Sequence, residues 1–263
     1  MSDNLALIKL GGSVVTFKEK PLSANFDAIE KISKALSSLR VPIIVIHGGG
    51  SFGHYWSTVY DMHSKADTYD PKGISIVHES MVALNQIIIN SMIKQDMTPY
   101  SIMPSIFTSG TRPLARKINE LKTMAKCGII PVIYGDIVHI ENGKYSIVSG
   151  DVLMTIISRI LHPSRVVFTI NADGFYKDLE KKEIIKVVTG PIRNHNNSVK
   201  FFNVNLDVTG GMRRKVSEAF KISKYGIDVL MINGLKPERI RNALSGSSIE
   251  GTLFKGHQGR SKK

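Results

Sequence analysis

Short apolar runs of strand length alternate with longer stretches of helical period along nearly the whole chain, and this alternation limits its fold more than any other feature. Strand and helix units in series set parallel strands side by side and lay the connecting helices over both faces. The expected fold class is therefore α/β, a three-layer αβα sandwich with a mostly parallel central sheet. Strands are predicted over residues 5–10, 41–46, 129–134, 165–170, 183–188, 228–232 and 251–254. The run 41–46 is continuously apolar, which suits a strand covered on both sides. Residues 97–103 read as a short or edge strand, because Pro99 cannot donate to an inner ladder. Helices are predicted over 26–39, 73–95, 113–126, 152–161, 211–225 and 237–244, with Pro113 suited to a first helical position. Residues 137–148 read as a hairpin, because Asn142-Gly143 supplies the positive φ angles of a tight turn.

The pattern restarts after Ser149-Gly150-Asp151, which divides the 263 residues into two lobes on one continuous sheet, 1–150 and 151–263. No internal repeat or low-complexity linker interrupts it, and the polar stretch 193–198 reads as a surface loop. At 42% hydrophobic the chain can bury a core. Its single cysteine, Cys127, allows no internal disulfide, and without a CxxC pair nothing suggests zinc; a reducing cytoplasm follows as the expected location. No apolar run approaches the roughly 20 residues of a membrane helix, and the first residues lack the basic and apolar regions of a signal peptide. No membrane partner is expected.

The net charge of +13 fits either nucleic acid or a site that holds several phosphates. Aromatic residues make up only 7% and do not interleave with the basic ones, which argues against nucleic acid. The basic residues are scattered apart from Lys181-Lys182, Arg213-Arg214-Lys215 and the tail 259–263.

Two glycine turns close strands. Gly11-Gly12-Ser13 ends the first, and His47-Gly-Gly-Gly-Ser-Phe-Gly-His54 ends the second. Gly48 to Gly53 satisfies GxGxxG, yet that dinucleotide fingerprint belongs to a first βα turn with an acidic residue closing the next strand, and the positions about 20 on precede a helix here. As a Walker A loop it lacks the lysine and hydroxyl, since His54-Tyr55 stands in their place. What remains is the shared physics. Glycine-rich turns at strand ends expose backbone donors, and a following helix start favours anions.

Lys9 lies within an apolar strand two residues before Gly11, so it either faces water from an edge strand or meets an anion at the sheet's carboxyl end. Lys215 comes one turn into a helix opened by Gly210-Gly211, where it adds to a dipole already favouring anions. Asp151 starts a helix and serves either as its N-cap or as the carboxylate that orients Lys9 and Lys215. Lys18 lies just past the first turn.

Together Ile8-Lys-Leu-Gly-Gly-Ser13, the 47–54 loop, Tyr134-Gly-Asp136, Ser149-Gly-Asp151, Asp207-Val-Thr-Gly-Gly211 and Ile232-Asn-Gly234 resemble the amino acid kinase family over essentially the whole chain. The resemblance implies ATP with Mg2+ as cofactors and a homodimer built through the 1–150 acceptor lobe, with 151–263 binding nucleotide. His54 is similar to the residue that hydrogen-bonds the acceptor phosphate in members that phosphorylate isopentenyl phosphate. The implied catalytic set is Lys9, Lys18, His54, Asp151 and Lys215, with no protein ligands assigned to a metal. Gly49, Gly50, Gly53 and Gly150 would face the acceptor. Gly11, Gly12, Ser13, Gly210 and Gly211 would face the nucleotide, with Asp173, Gly174, Tyr176 and Lys177 from a loop that begins with Asn171 where the family usually has Asp. Uridine monophosphate kinase and fosfomycin-type kinase are the alternatives within the family, and a non-catalytic polyanion-binding module is the one outside it.

A phosphate monoester is mostly a dianion at neutral pH, since its second pKa is about 6, and needs no general base. His54 would position the acceptor as a neutral donor or as a cation. The acceptor's organic tail needs an apolar lining, for which Ile74, Val77 and Met81 on the long helix, with Val132 and Ile147 opposite, are candidates, although the same stripe serves equally as core.

Overall fold

The computed structural model describes residues 4–109, 112–178, 183–189, 210–247 and 250–257. Lys181, Lys182, the stretch 193–198, Asp207 and the tail 259–263, all named above, lie outside the described residues.

The chain opens with β1 (Ala6–Leu10), the short α1 (Gly12–Val15), α2 (Phe26–Ser37), β2 (Ile43–His47) and α3 (Gly50–Val59). The long α4 (Pro71–Ile93) leads to β3 (Pro99–Ile102), the two-residue strands β4 (Thr108–Ser109) and β5 (Arg112–Pro113), α5 (Ala115–Lys126) and β6 (Ile130–Tyr134). A hairpin of β7 (Asp136–His139) and β8 (Tyr145–Val148) follows. After it come α6 (Gly150–Leu161), β9 (Arg165–Ile170), β10 (Tyr176–Asp178), β11 (Glu183–Ile184) and β12 (Val187–Val188). The chain ends with α7 (Gly210–Ser223), β13 (Val229–Asn233), α8 (Pro237–Ser245) and β14 (Thr252–Phe254).

Eight strands form one sheet in the order β12-β14-β13-β9-β1-β2-β6-β3. All neighbouring pairs are parallel except β13 and β14. The sheet is continuous across residue 150, because β1 pairs with β2 on one side and with β9 on the other. β3 takes the edge that Pro99 requires.

Period-two alternation sends successive β1 side chains to opposite layers. Leu5 and Leu7 pack with Ile118, Leu121, Leu153, Ile157 and Ile222 of α5, α6 and α7. Ala6 and Ile8 pack with Ile29, Ile32, Leu84, Ile88 and Ile240 of α2, α4 and α8. The result is the three-layer sandwich.

Three local expectations change. The strand expected over 183–188 is two short strands, β11 paired with β10 and β12 paired with β14. Pro113 does not begin α5; it pairs with Thr108 in the β4–β5 ribbon, and Leu114 caps the helix. Asp151 is not the N-cap of α6, because Ser149 holds that position and its hydroxyl accepts from Val152 N at 3.3 Å. The hairpin turn is as expected, with Asn142 and Gly143 at φ 55° and 71°.

Candidate active site

The carboxyl ends of β1, β2, β6 and β9 open into a cleft of about 820 Å³. Four helices, α1, α3, α6 and α7, begin or run their first turns along its wall, contributing Gly12 and Ser13, Gly50 and Gly53, Gly150 and Asp151, and Met212 with Lys215. The first amides of a helix have no partner four residues back, so this arrangement aims unpaired donors and positive dipole ends at one space.

The two glycine turns touch. A side chain on Gly12 would meet Gly50 N at 2.4 Å and Gly50 Cα at 2.6 Å, and Gly50 itself sits at φ +49°. Thr16 clamps the contact, its hydroxyl donating to Gly12 O at 2.7 Å while accepting from Ser51 N at 2.9 Å. The expected convergence of two donor-rich loops is physical contact.

Alternation along β1 points Lys9 toward the α6 layer. There its Nζ lies 2.8 Å from Asp151 Oδ1, and both side chains are 3% exposed. The other oxygen of Asp151 faces Arg214 Nε at 3.5 Å and Lys215 Nζ at 3.8 Å. Burial alone pushes the Asp151 carboxyl up, but Lys9, Lys215 and Arg214 outweigh it and leave its pKa below the ordinary value. Lys215 is pushed down to about 8, chiefly by desolvation and then by Lys9 beside it. Lys9 is thus a central-strand cation fixed by a buried carboxylate, not an edge charge.

Lys18 and His54 line the same cleft. The His54 ring meets solvent at the wall, and its pKa is lowered by partial desolvation and then by Arg214, Lys215, Lys18 and Lys9. These influences all act against the charged imidazole. His47 has a different task. Fully buried, it is stacked on Tyr134 at 5.6 Å, contacts Asn85 Oδ1 through Nε2 at 3.2 Å, and is held down to about 4 by burial.

Part of the cleft wall is apolar. Val77, Met81 and Ile147 line it with Met62, beside Gly49 and Gly53. Ile74 packs behind this lining, against Met62, Val77 and Ile137. Val132 does not line the cleft; it is fully buried among Ile8, Val45 and Leu84 in the α4-side core. Its strand is apolar on both faces, so composition could not tell which way it points.

Gly11, Asp173, Gly174 and Tyr176 stand back from the cleft lining. Gly11 lies beneath it, with its N–H donating to Thr169 Oγ1 at 3.0 Å. Asp173 accepts from Asn233 at 2.8 Å and pairs with Lys236 and Arg239, which together hold its carboxyl below the usual range. Gly174 adopts φ +148°, Tyr176 pairs with Ile184, and Lys177 belongs to the same strand. Gly210 and Gly211 open α7. Asn171 does line the cleft.

Sequence reasoning did not single out two features. Arg214 lines the cleft and is the first-named cation acting on His54; its cluster with Lys215 was visible, but not which member turns inward. Asp136 also lines the cleft, 3% exposed, with His78 Nδ1 2.7 Å from its Oδ2. These partners are 58 residues apart, beyond the reach of any local pattern.

An αβα sandwich whose strand ends gather helix starts, glycine turns and cations defines a class of protein built to hold a string of phosphates. A model of the amino acid kinase family matches residues 4–233. The chain is 33% identical to the isopentenyl phosphate kinase of Thermoplasma acidophilum over 256 residues, 95% of this chain and all of the relative. It is 30% identical to the isopentenyl phosphate kinase of Methanocaldococcus jannaschii, across 94% of this chain and 97% of that one. A solved isopentenyl phosphate kinase substrate complex superposes with a TM-score of 0.77 at 29% identity, covering 96% of this chain and all of that one. This chain belongs to the amino acid kinase family.

Proposed function

We propose that this protein transfers the γ-phosphoryl group of ATP to isopentenyl phosphate, giving isopentenyl diphosphate and ADP for isoprenoid biosynthesis. The observation that carries the reading is one cleft lined both by His54 with the cations Lys9, Lys18 and Lys215 and by the apolar Val77, Met81 and Ile147. That polarity fits an acceptor with a dianionic head and a hydrocarbon tail. An acceptor phosphate oxygen attacks the γ-phosphorus, the new P–O bond forms, and the β–γ bridging bond breaks with its electron pair leaving on ADP.

The dianion is already a nucleophile, so the protein's work is alignment and charge stabilisation. Neutral His54 donates a hydrogen bond to the acceptor phosphate and takes no proton. Lys9 and Lys215, oriented by Asp151, and Lys18 stabilise charge on the transferring group, with the turn amides of Gly12, Ser13 and Gly50 beside them. Arg214 adds a fourth cation to the set.

Mg2+ accompanies ATP in this reading. Among the described residues no cluster of three His, Cys, Asp or Glu side chains could hold a metal ion. Asp151, at the cleft, is committed to three cations. The ion would ride on nucleotide phosphates and water, as magnesium commonly does, and no step is routed through it. Residues 151–263 are assigned to the nucleotide and 1–150 to the acceptor and a homodimer contact. A cytoplasmic location belongs to the same proposal, supported by the single cysteine, Cys127. Separately, among the described residues no helix is long and apolar enough to cross a membrane.

The test is ATP turnover against isopentenyl phosphate, dimethylallyl phosphate, UMP, fosfomycin and carbamate. Preferred use of isopentenyl phosphate is expected, and turnover of UMP alone would remove the isoprenoid assignment. Sedimentation of the purified chain tests the dimer, a monomer at working concentration being the result against it.

A further inference from the structure

Asp136 is a buried carboxylate in the cleft wall, next in sequence to Ile137, which packs with Val77 and Ile147. It begins β7 directly after Gly135, whose Cα is packed against Gly150 N, and it lines the same wall as Ile147, Val77 and Met81. Both carboxylate oxygens are fixed. Oδ1 accepts from Ile137 N at 2.8 Å, and Oδ2 faces His78 Nδ1 at 2.7 Å. Among the described residues two carboxylates line the cleft, Asp136 and Asp151, and the second is surrounded by Lys9, Arg214 and Lys215. Among the described residues, the partly exposed His78 is the ion-pair partner facing Asp136.

A hydrocarbon tail has no donor to offer this carboxylate, and burying it costs free energy unless it is paired and hydrogen-bonded. A negative charge beside Val77, Met81 and Ile147 therefore calls for a use other than attraction of the tail. Repulsion supplies one, because selectivity can be built from an unfavourable contact with the wrong ligand as well as a favourable contact with the right one.

We propose that Asp136, held in place by His78, is a specificity-determining residue that excludes acceptors carrying negative charge on the tail and prevents a phosphate from entering the apolar part. The inference rests on the acceptor reading above and deepens it. An acceptor can then lodge in one sense, phosphate toward Lys9 and Lys215, tail toward Met81 and Ile147. His78 moderates the field: its pKa is raised, first by the hydrogen bond to Asp136, so it lends positive charge to the pair. Burial pushes the Asp136 carboxyl up despite that bond.

The experiment measures binding by calorimetry with two probes of equal length, pentyl phosphate and 5-phosphooxypentanoate, and reads the ratio of their dissociation constants. The native protein is expected to favour pentyl phosphate. Asp136→Asn keeps the shape and removes the charge, and should shrink the ratio by about tenfold or more, the scale of a like-charge contact a few ångströms away in a partly buried site. His78→Gln leaves a donor but no cation, and should widen the ratio. An unchanged ratio in both variants, or Asp136→Asn weakening both probes by the same factor, overturns the proposal. Failure of the functional reading shows separately, as absent phosphoryl transfer to isopentenyl phosphate while the binding ratio still responds to Asp136→Asn.

Discussion

The two parts of the cleft lining are made of different material. The cationic part is backbone and charge: glycine turns in contact, helix starts, and Lys9 clamped to Asp151 beneath the surface. The apolar part is made chiefly of side chains, Val77, Met81, Ile147 and Met62, backed by Ile74 and Ile137. A surface of aliphatic side chains can change by a methyl group and relax, whereas backbone in van der Waals contact and a buried ion pair cannot be altered in small steps. Chemistry is thereby fixed in one part and substrate choice left adjustable in the other.

The sharpest way to break this comparison is Asp151→Ala. It strands Lys9 in a site where both partners are 3% exposed, and loss of one partner of a buried pair costs about 3–5 kcal/mol. Denaturant unfolding should show that loss together with abolished turnover. The pH dependence has a definite sign. The folded pKa of Asp151 lies below its reference of 3.8, so its contribution is fully present above that value and disappears as pH falls through the lower folded pKa. Acid unfolding of Asp151→Ala should therefore be less steep below about pH 4 than that of the native protein.

Gly12→Ala comes next. Its new methyl would press on Gly50 N at 2.4 Å, and the turn must shift by a sizeable fraction of an ångström. Displacement on that scale costs turnover about a hundredfold. Steady-state kinetics should show it in kcat, and a change under about threefold would mean the turns move independently.

His54→Ala should raise the acceptor KM by about ten- to a hundredfold, the worth of a hydrogen bond to a charged group, with the ATP KM unchanged. Unaltered acceptor kinetics would reject its assigned role. Lys215 gives a smaller, graded effect. With its pKa lowered to about 8, kcat/KM for ATP should fall about tenfold per pH unit above that point, and Lys215→Arg should push the falling limb beyond the accessible range. The mildest change belongs to the apolar part. Ile147→Val removes one methylene, worth about 0.8 kcal/mol, and should weaken acceptor binding about fourfold with kcat intact.

Much of this was legible in the chain itself, for identifiable reasons. Helix and strand order followed from hydrophobic period, and the strand ends carried their glycines in view. Lys9 announced itself as a cation among apolar neighbours. What stayed hidden depended on direction or distance. Ser149 and Asp151 are both good cap residues, and only the geometry of the first turn chose between them. Val132 sits in a strand buried on both faces, where parity gives no signal. Among three consecutive basic residues on α7, the helix's phase decided that Arg214 and Lys215 face Asp151. The pairing of His78 with Asp136 joins α4 to β7 through tertiary contact alone.

The contact between Gly12 and Gly50 has one more consequence. Because each turn occupies the space that a side chain on the other would need, neither can be edited without moving its neighbour. Under the proposed reading the donor's and the acceptor's footing would be a single piece, so a change in one turn is felt at once by the other. Drift at these two positions is foreclosed, and innovation is channelled to the hydrocarbon wall of the cleft.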